Sequence, residues 1–331
     1  MSRLATTALS VLDLAPIRED GSAAESYRES VALARQAERL GYTRFWLAEH
    51  HGIEGIASAA TAVLIGHVAG ATQRIRVGSG GIMLPNHPPL VIAEQFGTLE
   101  TLYPGRIDLG LGRAPGSDGA TMAALRRSAH AGVEDFPQRL EELQGFLGEA
   151  RPDQKVRAVP GQGTHVPLWL LGSSGYSAQL AARLGLPFAF AAQFAPGYLH
   201  EALRLYRDNF RPSAVLDKPH AMVGLPVVAA ETDAYADYLA TTMRQKFLGM
   251  IRGRRTSAKP PVEHLEMSPM EEAQLQQFLG AAIVGGPDTV HRELEAFLEQ
   301  TGADELMLNT DVYSLEDRLK SYELVADVWK R

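Results

Sequence analysis

Five short runs in this 331-residue sequence combine residue types that can move protons, grip anions or leave room for a flat ligand. The apolar run RFWLA ends in Glu49-His50-His51 and Gly52. A carboxylate followed by two imidazoles can exchange protons near neutral pH once its surroundings tune it. Joint chelation of one ion by His50 and His51 is disfavoured, because neighbouring side chains on an extended segment point to opposite faces. The ordinary alternative is one satisfied structural histidine and one surface histidine. A second run, Gly78-Ser79-Gly80-Gly81, weakens any strand that contains it, so it implies close approach by a backbone or a ligand, or else a bulge. The third, LGLGRAPG (109–116), places Arg113 just past a glycine-containing strand. Its planar guanidinium can grip a phosphate there, or sit solvated in a loop. The fourth, Gly172-Ser173-Ser174-Gly175-Tyr176-Ser177, has the composition of a helix start. Such a turn caps the helix, binds an anion through free backbone N–H groups, or does both. The fifth is Gln193-Phe194, a pocket wall or plain core packing.

These runs need elements to hold them. Eight segments read as strands: 9–16, 44–50, 74–84, 106–114, 166–174, 187–194, 220–231 and 304–313. Helical patterns lie between them. In the first, Tyr27, Val31, Ala34 and Ala37 fall at helical spacing and Gly41 stands where a C-cap glycine belongs. Helices are also expected over 58–70, 89–102 and around 134–149. Near-continuous apolar strands alternating with helices mean a parallel sheet buried on both faces. Eight βα units favour closure, which removes sheet edges, so the expected fold is α/β: one single-domain (β/α)8 TIM-like barrel with insertions, spanning 1–331. Active sites of such barrels lie at the C-terminal strand ends, where all five runs fall. Two segments break the rhythm, 115–165 and 252–270. The latter is basic and Pro-containing, and reads as a surface loop or an active-site lid.

Composition narrows the function further. Apolar residues make up 45% and charged residues 21%, values of a protein with a large core. A net charge of −7 with interspersed signs argues against nucleic acid, which needs a basic face. The chain has no cysteine, so disulfides, thiolate metal sites and a cysteine nucleophile are excluded. No apolar run approaches the ~20 residues of a membrane span. The early Asp13 breaks the only signal-like stretch, so a cytoplasmic location is expected. The remaining histidines form no set, though His87 in LPNHPP lies near the third strand end. There is no HExxH, nucleophile elbow or P-loop, and no metal is expected.

Three segments, FWLAEHHG (45–52), the run from Ile75 to Gly116, and WLLGSSGYSAQLAARLGLPFAFAAQF (169–194), resemble the bacterial luciferase-like flavin monooxygenases. The agreement runs on to RLKSYELVADVW (318–329) and is closest to short single-chain members. The resemblance implies a barrel that uses reduced FMN supplied by a separate NAD(P)H:flavin reductase. It implies His50 as the catalytic histidine with Glu49 beside the isoalloxazine, and Gly80-Gly81 as a non-prolyl cis peptide behind the ring. It also implies phosphate binding by Arg113 and by the turn of Gly172, Ser173, Ser174, Gly175 and Tyr176. The family's reactive cysteine is Gly112 here, and 252–270 does not match the luciferase lid.

The activity implied by the resemblance is that of a two-component monooxygenase. Reduced FMN would react with O2 at C4a, giving a hydroperoxide that oxygenates a small organic substrate. A homodimer is the implied assembly. Two alternatives stand beside it: an F420-dependent dehydrogenase on the same barrel, and a non-catalytic flavin-binding protein.

Overall fold

A computed structural model describes residues 3–114, 119–125, 135–254 and 256–331. Pro115, Gly116 and His130 lie outside the described residues. Eight parallel strands close into a barrel: β1 (Ala8–Asp13), β2 (Arg44–Leu47), β3 (Arg76–Met83), β4 (Ile107–Gly112), β5 (Leu168–Gly172), β6 (Phe188–Ala191), β7 (Ala221–Ala229) and, after a short strand β8 (Ile283–Gly285), β9 (Glu305–Asn309). Each pairs with its neighbour in chain order, β6 pairs with β7, and β9 closes the ring between β7 and β1. All of these pairs are parallel. The strand β8 has no counterpart among the eight expected segments; it is three residues long and extends the sheet beside the C-terminal end of β7, outside the closed ring. The other strands stop short of the C-terminal ends read from sequence, where the chain leaves the ladder for the loops of the barrel mouth.

Helices α1 (Ala23–Leu40), α2 (Thr61–Ala71), α3 (Pro89–Leu102), α4 (Gly119–Ala124), α5 (Phe136–Leu147), α6 (Gly175–Leu184), α7 (Leu199–Asp208), α8 (Asp233–Ile251), α9 (Pro269–Phe278), α10 (Pro287–Thr301) and α11 (Leu315–Trp329) accompany the strands. Local chemistry sets their ends. Ser22 accepts from the Glu25 N–H at the start of α1, and Gly41 ends it in the left-handed conformation, φ 94°. A capping box between Ser268 and Glu271 starts α9.

The two faces of the strands have different contents. Outward residues such as Val11, Phe45, Ile107, Leu170 and Leu306 join the helices in one large apolar core. Inward residues form layers. At the N-terminal end, Arg44 binds Glu305 (Nε–Oε1 3.0 Å) and Asp108 (Nη1–Oδ2 2.7 Å), and Arg76 binds the other oxygen of Asp108 at 2.6 Å. Buried carboxylates are tolerated when paired in this way, and Asp108 is also capped by the Trp46 indole N–H at 3.2 Å. Above this ionic floor, Leu12, Trp46, Trp169, Met222 and Met307 form a bulky middle layer. The next layer up is small: Gly80, Gly112, Ala191 and Gly224 stand on the same inward rows. Bulk below and glycine above plug the barrel at mid-height and hollow it at the C-terminal end. Among the described residues no helix is long and apolar enough to cross a membrane.

Candidate active site

The hollow is a cavity of about 550 Å³, well inside the ~300–1,000 Å³ range of small-molecule sites. Leu12, Trp46, Met222 and Met307 are its floor. The loop after β2 contributes Ile53, Gly55 and Ile56. One face of α8, through Thr242, Lys246 and Met250 at successive turns, forms a side wall. The segment after α8 roofs part of the mouth. Thr256 and Ala258 line the cavity, and Ala258 pairs with the loop after β1, its N–H donating to Ile17 O and its carbonyl accepting from the Glu19 N–H, both at 2.9 Å. Of the 252–270 segment, Thr256 and Ala258 thus reach the cavity and Ala258 is tied to the loop after β1; residue 255 lies outside the described residues.

The sequence motifs divide between the cavity and its support. His50, Gly80, Gly81, Arg113, Gly172, Ser173 and Ser174 all line the cavity. The Gly80–Gly81 peptide is cis. The β3–β4 register shifts between Ser79 and Ile82, as a bulge would make it, and the Gly110 backbone approaches Gly81 closely; the two glycines also wall the cavity. A Cβ on Gly80 would stand 2.9 Å from Leu12 Cδ1, and one on Gly81 would stand 2.7 Å from Gly110 O. A larger residue at either position would collide with the barrel's own atoms: Leu12 and Trp46 at Gly80, the Gly110 backbone at Gly81.

Arg113 and Tyr176 act together. The guanidinium carbon lies 3.9 Å from the Tyr176 ring centroid, a cation–π contact that aims Arg113 without neutralising it. Among the described residues no carboxylate pairs with Arg113. Beside it begins α6. Ser174 occupies the N-cap position with extended backbone, yet its side chain makes no capping hydrogen bond. The hydroxyl is not used for capping, so the backbone N–H groups of this helix start have no side-chain acceptor from Ser174. The guanidinium thus lies over the first turn of α6, where helix N–H groups and the helix dipole present positive charge.

Glu49 goes the other way. It is 1% exposed and is not part of the cavity lining. Its carboxylate accepts from His51 Nε2 at 2.8 Å, from Asn86 Nδ2 at 3.0 Å and from the Met83 N–H at 2.9 Å. His87 Nε2 lies 3.0 Å from both of its oxygens. Burial would raise this carboxyl's pKa, but the hydrogen bonds from His87, Asn86 and His51 outweigh it and hold the group below the usual carboxylate range. Glu49 thus ties the end of β2 to the turn that follows β3, with His50 between two anchored neighbours. His50 faces the cavity and His51 the hub, the opposite orientation expected of adjacent side chains. Glu49, His51 and His87 place their ligand atoms within 4.8 Å of one another, spacing that could hold a metal ion; here the carboxylate's acceptor positions are taken by protein donors.

The sequence points to His87 only by its nearness to β3, and gives no sign of Asn86 and Met83 as partners of Glu49. It is also silent on most of the far wall, made by Gln193, Asn309, Asp311, Lys246, Phe247 and Phe278. Gln193, a pocket or core residue by its strand-end position, does line the cavity. Asn309 and Asp311 are within reach of the same strand-end rule, since they stand at and just past the end of the last barrel strand.

A model of the luciferase-like monooxygenase family matches residues 7–305. A luciferase-like monooxygenase of Escherichia coli strain K12 is 54% identical over 325 residues, covering 98% of this chain and 97% of that protein. The crystal structure of apo-MsnO8 superposes with a TM-score of 0.91 at 38% identity, over 98% of both chains. The oxygenating constituent of 3,6-diketocamphane monooxygenase from the CAM plasmid of Pseudomonas putida, in complex with FMN, shares the fold with a TM-score of 0.72 at 18% identity, over 98% and 97% of the two chains. With the family match spanning residues 7–305, which carry β1 to β8 and most of the cavity lining, and with a relative 54% identical over nearly its whole length, the chain belongs to the luciferase-like monooxygenase family.

Proposed function

We propose that this chain is the oxygenase of a two-component system: it binds reduced FMN received from a separate NAD(P)H:flavin reductase and oxygenates a small organic substrate with O2. The observation that carries the proposal is Arg113, held on the Tyr176 ring beside the uncapped start of α6. Charge and donors converge there with no protein anion to satisfy them among the described residues. FMN, with its terminal phosphate and flat ring, fits the site: Arg113, Ser173, Ser174 and the α6 N–H groups would hold the phosphate, and Gly80–Gly81 would back the ring. The FMN-bound structural neighbour supports the choice of ligand.

The bound reduced flavin supplies the electrons that activate O2; the chain supplies the rest. Apolar walls from Leu12, Trp46, Met222 and Phe247 exclude water from the reacting edge. An imidazole nitrogen of His50, facing the cavity, passes a proton to or from the reacting oxygen. Glu49 acts through the backbone on either side of His50 and does not touch the reactants.

The test is equilibrium binding of FMN, riboflavin and F420. FMN is expected to bind more tightly than riboflavin, and Arg113→Ala to abolish that difference. Loss of charge-assisted hydrogen bonds worth ~1.5–3 kcal/mol should weaken FMN about 10- to 150-fold and leave riboflavin unchanged. Preference for F420, or an Arg113→Ala variant with wild-type FMN affinity, would overturn the assignment.

A further inference from the structure

The wall across from Gly80–Gly81 has a chemistry of its own. In the closed ring β7 stands four strands from β3 in either direction, so β7 and its neighbours β6 and β9 face the glycine pair across the barrel mouth. Asn309 ends β9, is 7% exposed and lines the cavity. Its Oδ1 is buried and accepts no hydrogen bond among the described residues. Gln193, past the end of β6, lies over Gly224 of β7, whose missing side chain gives it room. Its Oε1 is likewise buried without a partner. Buried polar atoms are almost always satisfied, so two orphan acceptors on one cavity wall point to a ligand that brings donors.

The rim beside them does not ask for charge. Lys246 Nζ is 2.7 Å from Asp311 Oδ2, and the pair cancels itself. Above it the surface is apolar. Phe247 packs on Phe278 with ring centroids 6.1 Å apart, and Met250 and Phe278 are 42% and 37% exposed at the mouth. Large apolar side chains left open beside a cavity are surface that a bound molecule would cover.

We propose that Asn309 and Gln193 form the substrate's hydrogen-bonding subsite, taking a small uncharged molecule with an N–H or O–H donor at one end. Its apolar tail lies under Phe247, Met250 and Phe278. This rests on the reading that the flavin ring occupies the Gly80–Gly81 side and leaves the β6–β7–β9 wall to the substrate. Asn309 and Gln193 are specificity residues: they choose which molecule enters and leave the chemistry to the opposite side.

The experiment uses the full chain, with and without FMN, titrated by ligand-observed NMR with two probes. N-hexylacetamide carries one N–H; N-hexyl-N-methylacetamide has the same acceptor and tail and no donor. N-hexylacetamide is expected to bind about tenfold more tightly, the discrimination of one buried hydrogen bond. Asn309→Leu should erase the difference while FMN affinity, measured separately by fluorescence quenching, stays at the wild-type value. Gln193→Leu, at a less buried position, carries the same test if N309L does not fold. Equal binding of the two probes, no saturable binding of either, or discrimination that survives in both variants would overturn the subsite. Discrimination present in a chain that fails to bind FMN would sustain the subsite and sink the cofactor assignment instead.

Discussion

Replacing Glu49 by glutamine tests the link between buried structure and the reactive side chain. The shape is kept, but one carboxylate oxygen becomes an NH2 group. In the native site every nearby group donates: His51, His87, Asn86 and the Met83 N–H. Glutamine therefore sets a donor against at least one of these donors and removes the charge that strengthens the others. His51 and His87 are about one-fifth and one-quarter exposed and can turn to water. Met83 N–H and Asn86 are fixed by the turn after β3 and have less freedom to do so. One unsatisfied buried donor plus lost charge assistance amounts to about 2–4 kcal/mol. In urea unfolding at pH 7 the midpoint should fall by about 1 M. The pH dependence has a definite sign. The Glu49 carboxyl is held below its ordinary value in the folded protein, so its stabilisation is complete above the unfolded carboxyl pKa and is lost as pH falls through the lower folded value. Glu49→Gln should remove that part of the acid sensitivity. Because His50 sits between Glu49 and His51, product formation should fall more than FMN affinity does. An E49Q variant with the wild-type urea midpoint and the wild-type acid slope would refute this reasoning.

Two further outcomes are expected. His50→Ala should retain FMN binding while product formation drops about 30- to 1,000-fold, the range for losing one hydrogen-bonding group worth ~2–4 kcal/mol to the transition state; full coupled turnover in that variant would remove His50 from the mechanism. Arg318→Met should destabilise the barrel by about 3–5 kcal/mol, because Arg318 is 2.8 Å from Asp13 with both side chains buried, and its loss strands that carboxylate; denaturant midpoints within error of wild type would contradict it.

The barrel was legible because strands buried on both faces are nearly continuous apolar runs, and eight of them are separated by helical patterns. The short Ile283–Gly285 strand was not, since three residues in AAIVGG carry no period. Gly80, Gly81, Arg113 and Ser174 could be placed near the barrel mouth from strand-end position alone, and all four line the cavity. What the turn at Ser174 does could not be read, as capping and anion binding ask for the same residues; in the fold Ser174 makes no capping bond, which removes the first use and leaves the second as the proposal. The withdrawal of Glu49 from the cavity was hidden for a similar reason. Its neighbour His50 faces the cavity, and nothing local shows that the carboxylate is claimed by Asn86 and His87 from 37 and 38 positions away. Asn309 escaped notice because its distinction is the lack of a partner for its carbonyl oxygen, a property that exists only in three dimensions.

The central claim, a flavin mononucleotide seated with its phosphate on Arg113, is tested most directly by a crystal structure of the chain with FMN bound. The account predicts the phosphate within hydrogen-bonding distance of Arg113 and the Ser174 turn, the ring against Gly80–Gly81, and the His50 imidazole on its reactive edge. A phosphate bound elsewhere, or a ring on the Asn309 side of the mouth, would contradict it.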